Sequence, residues 1–503
     1  MAVPVKRSGG TRLRGGAAAS SGSRRETPAI MTPNGAAEPA HRPAPLPQLL
    51  LRGGLLLVLG FSPLPLASVN ATAWTVLAVA SGALLLLAFA SELVDPARKE
   101  QFRVLRLSTI LAGLVVVWIV LQQFPAPFAD WNAALWDRAA HALGAPVERS
   151  VSLARERSLG HLLRLLAYAA IFLSAWTVGR RSQGAQAVLR SVAFIGAAYA
   201  LYGLIAYFSG NEFVLWFRKT AYTEDLTGSF VNRNSFATFL GLCLIANLGL
   251  IAQVLSERID SASWRMLFHS SVEATLRHGI WPLLGSTLTA AALLLTHSRG
   301  GMIATLCGVA ALVLAALSAP SLRGPWRWPL ASFAAAGAAL MIAVAGSGAL
   351  ERLGNSSDDS TGRNEIYAGT ITAIEQHPLA GTGLGTFEYV YAPHQPQSEL
   401  KRVEYAHDEY LQTMLELGLP AAAGFFLLLA LLAGRCIVGV FRRRRNALFP
   451  CVGVGASVLA AVHSLVDFSL EMPAVATIFA ALLGMAVAQS VGTSAVAHDG
   501  RHR

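Results

Sequence analysis

About twelve apolar runs, each close to the roughly 20 residues needed to cross a bilayer, recur along this 503-residue chain and fix the solvent it folds in. Within hydrocarbon every backbone amide and carbonyl must find its partner inside the chain, so runs of this length are predicted to be helices. Composition agrees: 54% of residues are hydrophobic and only 14% charged. That balance excludes a soluble enzyme, a fibrous protein and a lone membrane anchor. The expected fold is all-α, a polytopic membrane helical bundle of about twelve transmembrane helices. Its expected spans are residues 49–66, 72–90, 107–124, 161–178, 188–208, 235–255, 279–297, 302–318, 328–346, 417–438, 448–465 and 472–490.

Charge gives the threading. The 40 Lys and Arg residues exceed the 29 Asp and Glu, for a net +11, and the excess collects after even-numbered spans. Arg98, Lys99, Arg103 and Arg106 follow the second span, Arg180 and Arg181 the fourth, Arg258, Arg265 and Arg277 the sixth, Arg323 and Arg327 the eighth, and Arg442 to Arg445 the tenth. Basic loops stay inside, so both termini are expected to be cytoplasmic. The same rule accounts for the high pI without nucleic acid, since no basic stretch is interleaved with aromatics.

The chain then divides into a basic, disordered cytoplasmic segment over 1–48, nine spans over 49–346, one large external loop over 347–416, three further spans over 417–490, and a cytoplasmic tail over 491–503. The large loop is acidic, and a loop of about 70 residues in a bundle with short connections points to function. Cys243, Cys307, Cys436 and Cys451 lack metal-ligand spacing and read as small core residues, so neither a metal nor a disulfide is expected.

Four external segments break the apolar pattern: Asn232-Arg233-Asn234, Ser298-Arg299-Gly300-Gly301, Thr361-Gly362-Arg363-Asn364-Glu365, which is expected to precede an amphipathic helix in the large loop, and the run from Tyr405 through His407 to Gln412. Three arginines on the face where basic residues are rare suit an anionic ligand, because guanidinium stays charged and grips phosphate oxygens in bidentate fashion. Lipid headgroup anchoring and local ion pairs, such as Arg363 with Glu365, are the alternatives. His407 opens a predicted helical run with Tyr410, Leu411 and Met414 on its face, and its imidazole can take a proton near neutral pH. Asp408 and Glu409, adjacent on a helix, would point apart, which argues against a two-carboxylate hydrolase. Gly381-Thr382-Gly383-Leu384-Gly385 follows no strand, so a tight turn is expected there in preference to a nucleotide loop. His463 and Asp467, one helical turn apart, stand near the outer end of the eleventh span. The near absence of ionisable groups at mid-membrane argues against the alternative reading, a lipid or polysaccharide transporter or flippase.

In this order, the motifs Asn-Arg-Asn-Ser-Phe-Ala, His-Ser-Arg-Gly-Gly, Gly-Arg-Asn-Glu-Ile-Tyr, His-Pro-Leu-Ala-Gly-Thr-Gly-Leu-Gly-Thr-Phe and Ala-His-Asp-Glu-Tyr-Leu-Gln-Thr-Met-Leu-Glu-Leu-Gly resemble the O-antigen ligase and polysaccharide polymerase family, also called the Wzy C-terminal family. The resemblance covers about 232–418 and implies an inner-membrane, multi-pass glycosyltransferase of the helical, metal-independent GT-C type, with no cofactor and an active site on the periplasmic face. The implied donor is an undecaprenyl-diphosphate-linked glycan. The acceptor is lipid A core, another glycan repeat unit or a protein hydroxyl, and membrane lipids surround the enzyme. By position, Arg233, Arg299 and Arg363 look like the arginines of the family's external site and are expected to bind the diphosphate, and His407 looks like its histidine; His407 and Arg363 are the expected catalytic residues, with Asn232, Asn234 and Tyr410 in support. Asp408 after His407, and Gly418-Leu419-Pro420-Ala421, depart from the family's usual Asn, Ser or Gln and Gly-x-x-Gly turn. The resemblance also implies inversion at the anomeric carbon.

Overall fold

The computed structural model describes residues 46–64, 66–93, 105–125, 132–210, 212–258, 264–352, 357–395 and 402–491. The expected disordered segment 1–48 lies outside the described residues except for its last three, and so does the tail after residue 491.

Helices carry the fold. In chain order they are α1 (Leu46–Phe61), α2 (Ala71–Leu93), α3 (Arg106–Leu121), α4 (Ala133–Leu143), α5 (Arg155–Gly179) and α6 (Ser182–Phe208). A two-stranded antiparallel hairpin, β1 (Phe213–Val214) and β2 (Phe217–Arg218), is the only sheet among the described residues. Then come α7 (Arg233–Arg258), α8 (Trp264–His278), α9 (Ile280–Leu295), α10 (Arg299–Ser318), α11 (Arg327–Arg352), α12 (Ser357–Gln376), α13 (Phe387–Tyr391), α14 (Glu409–Leu417), α15 (Leu419–Arg442), α16 (Leu448–His463) and α17 (Pro473–Gln489). Each of the twelve expected apolar runs coincides with one of these helices. Among the described residues six helices are long and apolar enough to cross a membrane, seven if α8 and α9, bent by 90°, count as one broken span. The shorter apolar helices are α1, α3, α16 and α17.

Burial sorts the bundle. In its apolar window α7 is 83% buried, against 22% for α2 and α15, so α7 runs through the centre and the other two along the rim. On the rim, Val79, Leu86, Leu114 and Phe194 are more than half exposed. Such surfaces are costly in water and neutral among lipid tails. Since lipid supplies no hydrophobic drive between helices, close backbone approach has to supply cohesion, and small residues permit it. A Cβ placed on Gly308 of α10 would come 2.8 Å from the Gly455 carbonyl oxygen of α16, and one on Gly455 would come 2.9 Å from that of Gly308.

The expected loop 347–416 is largely helical. Its α12, α13 and α14 enclose a small core of their own, with Ile366, Ile374, Phe387, Tyr391 and Leu415 buried together. This cap sits on the same end of the bundle as the segments 122–125 and 132–154. Gln122 donates to the carbonyls of Ala380 and Glu416 at 2.8 and 3.0 Å, and Leu153 N–H to Thr382 O at 2.9 Å. Gly381, Gly383 and Gly385, with φ of 68°, 101° and 75°, make the tight turn that receives these bonds. Their amides are already used: Gly383 N–H goes to Glu416 O at 2.9 Å and Gly385 N–H to Glu416 Oε2 at 2.7 Å. The turn is structural.

The structure corrects two local expectations. Arg363 lies inside α12 and not ahead of a helix. His407 and Asp408 also precede α14: Asp408 is its cap, accepting Leu411 N–H at 2.9 Å, and only Glu409 begins the helix. A short side-chain carboxylate satisfies the first-turn amides better from the cap position than from within the helix, which explains the shift.

Candidate active site

Five segments meet at one end of the bundle: the start of α7, the α9–α10 turn, α12, the approach to α14, and the α16–α17 turn. The first two are tied by Ser298, whose hydroxyl accepts Gly301 N–H at 3.2 Å as the cap of α10 and donates to Asn234 Oδ1 at 2.8 Å. Thr238 of α7 reaches Ser469 beyond α16 at 3.1 Å. Gly300 lets α10 start against the same turn, since a Cβ there would lie 2.9 Å from Val466 Cγ2 and 3.9 Å from His463 Nε2.

His407 sits in the left-handed region at φ 53°. Its Nδ1 lies 3.2 Å from Asp467 Oδ1, its ring is edge-on to Phe468 at 4.9 Å, and its carbonyl accepts the Tyr367 hydroxyl at 3.0 Å. The imidazole is 27% exposed and the carboxylate 1%, so one edge of the ring faces outward while the other is held by a buried acid. Burial by itself would raise the Asp467 carboxyl, but the His407 hydrogen bond, the charges of His407 and His463, and the Phe468 amide together hold it below the ordinary carboxylate range.

Arg363, one helical turn before Tyr367 on α12, donates to Val466 O at 3.2 Å, next to Asp467. Arg299 is exposed at the first position of α10. Arg233, first in α7, donates to Asp225 Oδ2 at 2.8 Å and lies over the Tyr222 ring at 5.3 Å. The other Asp225 oxygen meets His297 Nδ1 at 2.8 Å, two residues before Arg299. Thus all four expected groups, Arg233, Arg299, Arg363 and His407, come from segments linked to one another through the α9–α10 and α16–α17 turns, and three of those segments are helices or approaches to helices beginning at this face. Helix starts carry partial positive charge, which adds to the guanidinium groups in favouring an anion here.

The supporting residues act differently from one another. Asn232 Oδ1 accepts Asn234 N–H at 2.7 Å, which shapes the entry to α7, and Asn234 reaches across to Ser298. Tyr410 turns away from His407, donating to Ala461 O at 3.0 Å and packing on Phe426, so it braces α14 against α16 and α15.

Reasoning from the sequence missed the acids that hold the histidines. Asp467 had a signal in its spacing from His463, yet its partner lies 60 positions away. Asp225 and His297 carried none beyond the His-Ser-Arg-Gly-Gly motif. His463 itself is buried, with both ring nitrogens lacking a partner among the described residues, as does Asp467 Oδ2. No group of three metal-binding side chains occurs among the described residues.

Fold and site define a polytopic helical membrane protein with cationic groups and an imidazole–carboxylate pair gathered at one end. Residues 284–426 match the family model described as O-antigen ligase, the family that the motifs resemble. The match spans Arg299, Arg363, His407 and Tyr410, while Arg233, Asp225 and Asp467 lie outside it. It supports a glycan-transferring enzyme of ligase or polymerase type. A search of curated proteins returns no match.

Proposed function

We propose that the chain transfers a glycan from an undecaprenyl-diphosphate donor to an acceptor hydroxyl at the periplasmic face of the bacterial inner membrane. The observation that carries this reading is the pairing of His407 with Asp467 beside Arg363, within reach of the turn bearing Arg299. Breaking the bond between anomeric carbon and diphosphate releases a stable anion, so the step needs charge stabilisation more than a proton. Arg233, Arg299 and Arg363 supply positive charge already in place, each contributing on the order of 3 kcal/mol by analogy with other preorganised donors. No metal is required of such a set.

The acceptor is a neutral hydroxyl and gains from a base. With Nδ1–H given to Asp467, His407 offers Nε2 at its exposed edge to draw the proton as the acceptor oxygen attacks, a contribution of about 100- to 10,000-fold. Attack opposite the departing diphosphate inverts the anomeric configuration. The polyprenyl tail lies along the lipid-facing helices with its phosphates at the interface, and the cap of α12 to α14 covers the sugars. Lipid A core, a glycan repeat unit and a protein hydroxyl all fit an acceptor of this chemistry.

The test is His407→Ala in a deletion strain, read by surface polysaccharide on gels and by lipid-linked donor in spheroplasts. The variant should stay in the membrane, abolish transfer and leave donor accumulated outside. Normal polymer removes His407 from the mechanism, and donor trapped on the inner face makes the protein a flippase. Arg363→Lys keeps the charge without the fork, so activity is expected to fall strongly; near-normal activity would mean that simple attraction suffices there.

A further inference from the structure

His407–Asp467 is not the only imidazole–carboxylate pair at this end of the bundle. Asp225, 12% exposed in its side chain, binds His297 Nδ1 with Oδ1 and Arg233 with Oδ2, both at 2.8 Å. Lys219 Nζ donates to the Asp225 carbonyl at 3.0 Å and fixes the backbone that carries the acid. An acid near an anionic ligand would repel it unless its charge were spent, and here both oxygens are taken by cationic or cation-forming groups. Two donors or acceptors are left over. The His297 ring has Nε2 on the edge opposite Asp225, in a side chain 38% exposed. Arg233 Nε is buried without a partner among the described residues, and an orphaned guanidine nitrogen calls for an acceptor.

We propose that Asp225 is a positioning residue that sets Arg233 and His297 side by side as a subsite for the second phosphate of a lipid diphosphate. Arg299, two residues beyond His297 on the same turn, and Arg363 are left for the phosphate attached to the sugar. At His297 the ligand contact is Nε2, whose N–H donates to a phosphate oxygen while Nδ1 stays on Asp225. The subsite is built on the α7 and α9–α10 segments and shares no residue with the His407–Asp467 pair, so it can bind the lipid-attached phosphate without drawing on the base. This inference rests on the proposed function and specifies the donor's recognition.

The experiment uses the full chain in phosphatidylcholine nanodiscs, with undecaprenyl diphosphate and undecaprenyl monophosphate as probes. Wild-type protein should bind the diphosphate about tenfold tighter or more, the size expected of charge-assisted contacts to one phosphate. His297→Gln and Asp225→Asn should weaken both probes about tenfold at an unchanged thermal unfolding midpoint, since the lipid-attached phosphate that both carry occupies the subsite, whereas Arg299→Gln should weaken the diphosphate alone. The same weakening with a lowered midpoint would mean that Asp225 only braces the fold, and undiminished binding of both probes by His297→Gln would overturn the subsite even if Asp225→Asn failed to fold. Loss of binding in Arg299→Gln alongside an unaltered His297→Gln sinks this inference while leaving the proposed function standing; a wild type that binds neither probe sinks both.

Discussion

An imidazole reacts from the nitrogen that its neighbours leave free, and a buried carboxylate decides which one that is. At His407 the decision is made by Asp467, a residue whose burial would be unfavourable without that bond and the nearby positive charge. Asparagine at this position keeps the size and offers an N–H to Nδ1, which favours the tautomer with its hydrogen on the outward Nε2. Asp467→Asn should therefore lower transfer by about 100- to 10,000-fold with the protein still in the membrane, as when the orienting acid of a catalytic histidine is lost. Activity within tenfold of wild type would show that the carboxylate serves folding alone. Arg233 and Arg299 stood out as candidates because charge at the edge of an apolar run is conspicuous, and Arg363 and His407 did so through their motifs in the one long loop. Asp225 and Asp467 were not, since a carboxylate in a loop looks the same whether it is solvated or locked to a ring 72 or 60 positions away.

Short elements decide how the cap is held, and α14 carries the most consequential one. Glu416 accepts amides from Gly385 and Phe387 at 2.7 and 3.2 Å, bonds that favour its charged form. Burial, joined by the Glu471 carboxylate, wins, and the Glu416 carboxyl is pushed up to about 7. In the unfolded chain it would ionise near its ordinary 4.5. The folded form thus holds this proton more tightly, and its contribution to stability is present below about 4.5 and lost as pH rises through about 7. Thermal unfolding of the purified protein in detergent should shift to lower temperature across that interval, and Glu416→Gln should flatten the slope; an unchanged slope assigns it to other groups. The tight glycine turn was foreseen from Gly and Thr alone. A helix after Glu365 was expected too, but its start at Ser357, which takes Arg363 into it, was not, because its face packs on a local core that only the folded cap creates.

At the scale of the whole molecule, the apolar runs predicted the helices because a membrane leaves backbone polar groups no other solution. Which helix lies at the centre could not be read from hydropathy, since lipid-facing and protein-facing residues are equally apolar. The glycine contact between α10 and α16 shows what does distinguish them, and it leads directly to the site: α10 begins with Arg299 and α16 ends in the turn of Asp467. A side chain at Gly308 would push against both Gly455 O and Leu459 Cβ at 2.8 Å. Gly308→Val should cost about 1 to 3 kcal/mol, the usual penalty of overpacking, and transfer should fall with it because the two ends separate. Retained stability and activity would mean that the helices can slide apart harmlessly. His407 belongs to the cap, whereas Asp467 belongs to the transmembrane bundle, and the 3.2 Å between them spans that boundary. Under the proposed function, any lifting of the cap to admit a bulky sugar chain would part the ring from its acid, and the base would be armed only once the cap had reseated.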